Sequence, residues 1–595
     1  RDHLAVAAAS PQHAGLSQLA RVTAALFVDG FLPDAELELA PRAPAPRSAM
    51  QLELGVPLVR LGAAVAPLTL TASRVDTAGD PVLAELVATL DEAAAATRAV
   101  VDAYRAKVRP KQAIVRRALS VEAVPALIDH CFYRQPPQWP SVADHYPVVP
   151  MTMTITMMID AAKRLAPDRV AIAVEDIRAY RWLAVAPPIE IEITANLREA
   201  DRIDVDIPGY ARSTVIFADR YPVAPAAALA LLTNSRPPPI TADRMYVDRW
   251  MFHGPQYQGV VALGPMGDDG VDGTIAVLPA PGALLDCAGQ LMGWWVMQTE
   301  RVDRLAMPVK IDRVSLFAQD PNVDERVACS VRMRHVGERE VRADLELVAN
   351  GRVWARIDGW EDRRFDSDDP VWAVLMYPER NALAVPHEGG YVTVTEHWRG
   401  AASRELMMRR YLGERERIRH EEIGPRGRRG WLLGRIAIKD AVRQHLWQRA
   451  QTPIWPVEIE VDNDPSGRPT VTTSHARDLR VSVSHKDELA VAIVGDGCDV
   501  GIDIEKIAPR TDGFTGIAFT PGEIALGSGR DLDEWLTRVW AAKEAVGKSR
   551  GTGVTNPKQL EVRAADGDRL SIDHDIVETH REGDYVIAWT RRNLS

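Results

Sequence analysis

Cysteine is scarce. The chain of 595 residues has four (Cys131, Cys287, Cys329, Cys498), none in Cys-x-x-Cys spacing. That excludes a disulfide framework and a cysteine-built zinc site, and points to a reducing, cytoplasmic compartment. Long apolar runs are missing too, and no signal peptide opens the chain, so no membrane span is expected. Nor is there a surplus of basic charge. Lys and Arg number 71 against 82 Asp and Glu, a net charge of -11. Nucleic acid is therefore excluded as the main partner, because phosphate contacts need a basic face. What is present is globular in balance: 46% hydrophobic and 26% charged residues. The length is too great for one core and predicts three or four domains. The first residues read as mid-domain, so an excised C-terminal part of a larger protein is expected.

Residues 1–80 begin with a helical period (Leu16, Leu19, Val22, Leu26, Phe27) and pass into a Pro/Ala-rich linker at Ala40–Arg47. Residues 81–108 are an alanine-rich connector helix. Residues 109–368 alternate as strands, at Val170–Val174, Ile189–Ile193 and Val341–Leu347, with two apolar helices, Ile155–Leu165 and Leu284–Trp295. Residues 369–385 are proline-bearing linker, and 386–595 a further block. The whole predicts an α+β multidomain chain.

The last block contains an internal repeat. Trp431–Val442 and Trp535–Val546 align without gaps at an offset of 104, sharing Trp, Leu, Ala, Lys, Ala and Val, with Asp440 opposite Glu544. Two α/β halves packed as a pseudo-dimer with a ligand at their seam are expected. In the second half, Asp503 and Glu505 leave one face of a strand roughly 7 Å apart. Trp540, Glu544 and Lys548 share a helix stripe. Three acids beside lysines suit a Mg²⁺ ion on a diphosphate. Only the second half has the paired acids, so Glu544→Ala is expected to abolish activity and Asp440→Ala to spare it.

The motifs of this block stand in the order of the surfactin-type phosphopantetheinyl transferases, which the block resembles. They are Gly434-Arg435 to Lys439, Gly467-Arg468-Pro469, Ser482-Val483-Ser484-His485, Gly501-Ile502-Asp503-Ile504-Glu505 and Trp540 to Lys548. The resemblance implies transfer of 4′-phosphopantetheine from coenzyme A to a serine of an acyl carrier protein. It implies Asp503, Glu505 and Glu544 as Mg²⁺ ligands, with Glu544 as base. Coenzyme A would be held by Arg435, Lys439, Arg468, Ser484, His485, Lys543 and Lys548. Solvated helix charge is the other reading of Arg435, Lys439 and Lys543.

Residues 109–368 are similar to polyketide synthase dehydratases with a double hot-dog fold, strands wrapped twice around an apolar helix. The resemblance rests on Phe252-His253-Gly254-Pro255-Gln256-Tyr257, on Ala280–Gln290, and on Ile128–Tyr133 as the strand of the first half. Arg134–Tyr146 then departs from the modular pattern as an insertion before Pro150. Removing water from a 3-hydroxyacyl thioester needs a base for the C2 proton and an acid for the hydroxyl. The resemblance implies His130 as base, with His145 as a competing candidate. It implies Asp286 as acid, kept protonated by an apolar pocket, and Gln290 as its positioning partner. His253 is expected to stabilise a turn.

Residues 3–34 resemble the tail of an acyltransferase domain, without its Gly-x-Ser-x-Gly elbow. Neither a Gly-rich dinucleotide loop nor a carrier Asp-Ser-Leu motif appears. The carrier would lie elsewhere in the parent synthase or on another protein. The implied whole is the end of an iterative polyketide or polyunsaturated-fatty-acid-like synthase, paired as a homodimer through its dehydratase. The alternative is a non-dehydrating, product-shaping double hot-dog beside a transferase-like docking module.

Overall fold

The computed structural model describes residues 81–108, 110–450 and 452–593. The expected acyltransferase tail and linker lie outside them. The chain divides into two units, residues 1–99 and 100–595. Of the first, only the start of a long helix, α1 (Pro81–Val108), is described, and its side chains are largely exposed. An alanine-rich helix without an apolar stripe has no face to bury.

Eleven strands form the first sheet of the second unit: β1 (Gln112–Leu119), β2 (Val170–Ala179), β3 (Ile189–Glu199), β4 (Arg202–Ile207), β5 (Ala211–Ala218), β6 (Val260–Gly267), β7 (Gly270–Ala276), β8 (Leu305–Leu316), β9 (Arg326–Val336), β10 (Glu340–Ala349) and β11 (Arg352–Phe365). Their order is β1-β3-β4-β5-β2-β8-β11-β10-β9-β7-β6, all antiparallel. β2 and β8 join the halves, with Val174 opposite Val314. A four-residue helix, α2 (Val142–His145), precedes α3 (Met151–Lys163), which lies on β2 to β5. A short α4 (Ala242–Val247) precedes α5 (Ala283–Thr299), which lies on β6 to β9. Met157, Met158, Ala161, Leu291, Trp294 and Trp295 of the two long helices share one buried core. This is the expected double hot-dog. At the start of α5, Gly282 has φ +74°, and a Cβ there would stand 2.4 Å from the Met153 nitrogen. Only glycine lets the two helices meet there.

The expected first-half strand at Ile128–Tyr133 is corrected. Residues Pro125–Asp129 form a 3₁₀ turn, and Cys131 pairs with Pro147 in a single bridge. Pro136, Pro137, Pro140, Pro147 and Pro150 follow, and a segment so short of N–H donors cannot sustain a ladder.

Beyond β11 come α6 (Asp369–Met376), α7 (Ala401–Tyr411), α8 (Glu414–Glu422) and α9 (Pro425–Trp447). The second sheet comprises β12 (Val385–Pro386), β13 (Tyr391–Thr395), β14 (Glu460–Asn463), β15 (Pro469–Thr472), β16 (Leu479–Lys486) and β17 (Leu489–Asp496). The third comprises β18 (Cys498–Lys506), β19 (Val562–Asp566), β20 (Arg569–Ile572), β21 (Asp575–Glu582) and β22 (Tyr585–Asn593). Between β18 and β19 lie α10 (Asp512–Ala518), α11 (Pro521–Leu526) and α12 (Leu532–Arg550). α9 covers β13, β16 and β17, while α12 covers β18, β21 and β22. The two copies of the sequence repeat thus sit on different sheets in like positions.

The first and second sheets are not separate bodies. Tyr133, Tyr146, Val148, Met307 and Phe365 share one apolar cluster with Leu406, Met407, Tyr411 and Ile436. Polar contacts seal the junction. The Tyr133 hydroxyl donates to the Leu406 carbonyl at 2.8 Å, and buried Arg417 meets buried Asp144 at 2.7 Å. Much of this junction is built by the Arg134–Tyr146 stretch. Among the described residues no helix is long and apolar enough to cross a membrane.

Candidate active sites

The first site lies in a cavity of about 170 Å³ between the helices of the double hot-dog. His130, 5% exposed, enters from the loop after the 3₁₀ turn. Its Nδ1 is 2.7 Å from the Val148 carbonyl, which fixes the proton there and leaves Nε2 as the acceptor. Nε2 faces Asp286 Oδ1 at 3.8 Å. Burial drives the imidazole pKa down to about 4, with His253 adding to the effect and Asp286 opposing it. His130 is therefore neutral at pH 7.

Asp286 stands in the first turn of α5. Its Oδ2 accepts from Gln290 Nε2 at 2.9 Å and meets His253 Nε2 at 3.1 Å. Burial raises its pKa, but His253, His130 and Gln290 together outweigh burial and hold it below the usual carboxylate range. The expectation of an acid kept protonated by an apolar pocket is corrected here, because two imidazoles and an amide surround it. Gln290 is itself anchored: its Nε2 also donates to the Tyr257 carbonyl at 2.8 Å, and its Oε1 accepts from the Tyr246 hydroxyl at 2.9 Å.

His253 is no mere turn residue. It is 5% exposed, stacks on Phe252 with ring centroids 4.0 Å apart, and points Nε2 into the site. Among the described residues, His130, His253 and Asp286 are the one trio of such side chains whose ligand atoms all lie within 4.8 Å of one another. His145 is not in the cavity lining. It ends α2, where its carbonyl accepts from the Tyr133 nitrogen. The cavity also holds Asp362, 3% exposed, which accepts from Trp360 Nε1 at 2.7 Å. Burial raises its pKa to about 7.

The second site lies where β16, β18 and α12 meet. Ser484 Oγ donates to Asp503 Oδ1 at 2.8 Å, and Lys486 Nζ lies 2.9 Å from Glu505 Oε2. Both pairs have the same sequence offset of 19, so two period-2 strand faces confront each other. Lys548 Nζ reaches Asp503 Oδ1 at 2.7 Å and the Ile502 carbonyl at 3.1 Å. Gly501 makes this possible. A Cβ there would lie 1.8 Å from the Ala545 carbonyl oxygen, so only glycine lets α12 seat on the strand. Asp503 Oδ2 is buried and without a hydrogen-bond partner. Burial raises the Asp503 pKa against the pull of Lys548 and Ser484. Burial also raises that of Glu544, with Asp503 and Glu505 adding to the effect.

Around these acids, the His485 ring lies against Gly430 of α9. Arg468 meets Asp499 at 3.1 Å. Arg435 stacks over Trp431 at 4.6 Å and donates to Asn463 at 2.5 Å, its Nε buried and unpartnered. Two lysines do not join them. Lys439 and Lys543 are each 0% exposed. Lys439 meets Glu416 at 2.6 Å and Lys543 meets Glu523 at 2.8 Å. Both expectations for them, a coenzyme A contact and a solvated charge, are corrected: each lysine's charge is spent inside its own half.

Asp440 is corrected likewise. It is 0% exposed and accepts from the Leu383 and Ala384 nitrogens and the Tyr411 hydroxyl, with Arg443 beside it at 2.7 Å. It is a structural hub, not a vacant counterpart of Glu544. Sequence reasoning passed over Lys486, although its alternation with Ser484 was a usable signal. It also passed over Asp362 and Tyr246, for which no local pattern speaks.

Residues 499–590 match the family model described as the 4′-phosphopantetheinyl transferase superfamily. A holo-[acyl-carrier-protein] synthase of Anoxybacillus flavithermus is 31% identical over 86 residues, 14% of this chain and 72% of the relative. The chain belongs to this superfamily. Residues 225–370 match the model described as the polyketide synthase dehydratase N-terminal domain, a span that includes His253, Asp286, Gln290 and Asp362. The chain thus joins a dehydratase to a phosphopantetheinyl transferase. Among solved structures, it is similar to the dehydratase domain of a mycocerosic acid synthase-like polyketide synthase (19% identity, 44% of this chain and 93% of that one, TM-score 0.34). It is also similar to the dehydratase domain from the CurJ module of curacin polyketide synthase (17% identity, 43% and 94%, TM-score 0.34).

Proposed function

We propose that the chain transfers 4′-phosphopantetheine from coenzyme A to a carrier-protein serine and dehydrates the 3-hydroxyacyl groups then carried on that arm. The observation that carries the proposal is the buried, partnerless Asp503 oxygen beside Lys548, with Glu505 of the same strand and Glu544 of α12 close enough to act on one another's charge. Such an oxygen beside three carboxylates fits a hard cation, with Lys548 on Asp503 and Lys486 on Glu505 as the present counter-charges. Those three acids would hold a Mg²⁺ ion, which when bound would offset the diphosphate charge and polarise the phosphorus. Glu544, its pKa raised, takes the serine proton. Lys548 turns from Asp503 towards the diphosphate. Arg435, Arg468, Ser484 and His485 grip the remaining phosphates of coenzyme A, guanidinium groups suiting bidentate contact. The product is a carrier-bound arm and 3′,5′-ADP.

In the dehydratase, neutral His130 Nε2 removes the C2 proton. The hydroxyl leaves with the proton shared in the His253–Asp286 hydrogen bond, so the pair acts as one acid. Gln290, fixed by Tyr246 and Tyr257, holds Asp286 in place. The reading also takes the domains as 109–368 and 386–595, in a homodimer paired through the first.

Incubation with coenzyme A, Mg²⁺ and an apo-carrier protein tests the transferase by mass; no gain on any synthase carrier would sink it. Interconversion of hydroxyacyl and enoyl thioesters tests the dehydratase. If the wild type performs none, the double hot-dog shapes product rather than forming it.

A further inference from the structure

The dehydratase cavity has a wall from outside its own sheet. Leu375 and Met376 of α6 and Leu406 and Arg410 of α7 line it beside the trio's side chains. Arg410 is 3% exposed, and its guanidinium lies 4.6 Å over the Tyr133 ring. Two of its nitrogens donate to the backbone carbonyls of Arg134 and Leu375, at 3.1 and 3.0 Å. Its Nε is buried and has no partner. Among the described residues no carboxylate forms an ion pair with it. The acid whose charge acts on it, Glu379, is 4% exposed and already engaged by Arg249, another cavity residue, at 2.9 and 3.0 Å. Glu379 is thus held by Arg249, and Arg410 stands at the cavity wall without a carboxylate of its own.

An unpaired buried charge is costly unless something completes it. Burial lowers the Arg410 pKa only to about 10, so the group stays charged at pH 7. Carbonyl acceptors satisfy its hydrogens in part but carry no net charge, and the free Nε–H still wants an acceptor.

We propose that Arg410, a residue of the transferase side of the chain, forms with Arg249 an oxyanion subsite of the dehydratase. The subsite takes an oxyanion borne by the substrate itself. Two parts of a carrier-bound acyl group have this chemistry: the phosphate of the pantetheine arm and a carboxylate at the far end of the acyl chain. The inference rests on the dehydratase reading above, and the test separates the two.

Three 3-hydroxyacyl thioesters with the same reacting end suffice: one on N-acetylcysteamine, one on phosphopantetheine, and one on N-acetylcysteamine with an ω-carboxylate. The full chain is compared with Arg410→Met and Arg410→Lys. Arg410→Met is expected to raise KM about tenfold for one charged substrate and to leave the uncharged one within about twofold, a single charge-assisted contact being worth that much. The affected arm names the source. Arg410→Lys keeps the charge but not the planar fork, and falls between. Arg417→Met breaks the Asp144 pair at the same junction, away from the cavity, and controls for a loosened interface. The subsite is overturned if Arg410→Met changes all three substrates alike, changes none, or matches Arg417→Met. Failure of wild-type dehydration itself would overturn the activity instead, and is read on the uncharged substrate.

Discussion

Lys543→Met provides the sharpest check on the corrected transferase site. Lys543 and Glu523 are both 0% exposed. The Glu523 carboxylate also accepts from the Thr520 and Val562 nitrogens at 2.8 Å, and Lys543 donates to the Ala518 carbonyl at 2.8 Å. Removing the lysine leaves a buried anion with two backbone donors and no counter-charge. Breaking a buried pair from one side costs about 3–5 kcal/mol. For a domain of this size each kcal/mol moves Tm by about 2–4 °C, so calorimetry of the full chain should show a transition lowered by roughly 6–20 °C. Lys543→Met with Glu523→Met should recover much of that loss, since an apolar pair of similar volume removes the stranded charge. Coenzyme A affinity, measured by titration calorimetry well below the transition, should stay within about twofold of wild type. A Lys543→Met protein of unchanged Tm that no longer binds coenzyme A would refute the reasoning and return Lys543 to the diphosphate.

Four further outcomes are expected. Asp440→Ala should lower stability by about 3 kcal/mol or more, because it strands buried Arg443 and two backbone N–H groups. Glu544→Gln should leave Tm near wild type and remove carrier loading, measured by mass. The pH dependence of folding should carry a His130 signature. Its folded pKa lies at about 4 against 6.5, so its stability is intact above pH 6.5 and lost as pH falls towards 4. The loss is about 3 kcal/mol by linkage and should vanish from urea titrations of His130→Gln. Gly501→Ala should abolish transfer and destabilise α12 on its sheet, since even one methyl group collides with the Ala545 carbonyl.

The double hot-dog was legible because each of its parts is a local pattern. Strands such as Val341–Leu347 alternate, and the two helices are apolar throughout. The placement of Asp503, Glu505, Glu544 and Lys548 was legible for the same reason: the first two obey a period of two on a strand, the last two a period of four on a helix. What escaped was partnership at a distance. Nothing local distinguishes Lys543, buried against Glu523, from Lys548, half-buried beside Asp503 on the same helix. The partner that decides, Glu523, is supplied by another helix. The sign of the Asp286 shift escaped likewise, because an imidazole 33 residues earlier in the chain outweighs an apolar wall that adjacent leucines suggest.

The shared core of the first and second sheets bears on the tempo of the two reactions. Under the proposed function a carrier serine is loaded once, whereas dehydration recurs with each round of chain growth. On this reading the loading half finishes its catalytic service early, and its α7 remains thereafter as masonry, closing a chamber that works throughout the life of the assembly. The two activities are then unequal in how they can be lost. Point changes at Glu544 can silence loading and leave dehydration running on carriers primed by another enzyme. Excision of the loading half cannot, because the chamber would lose a wall.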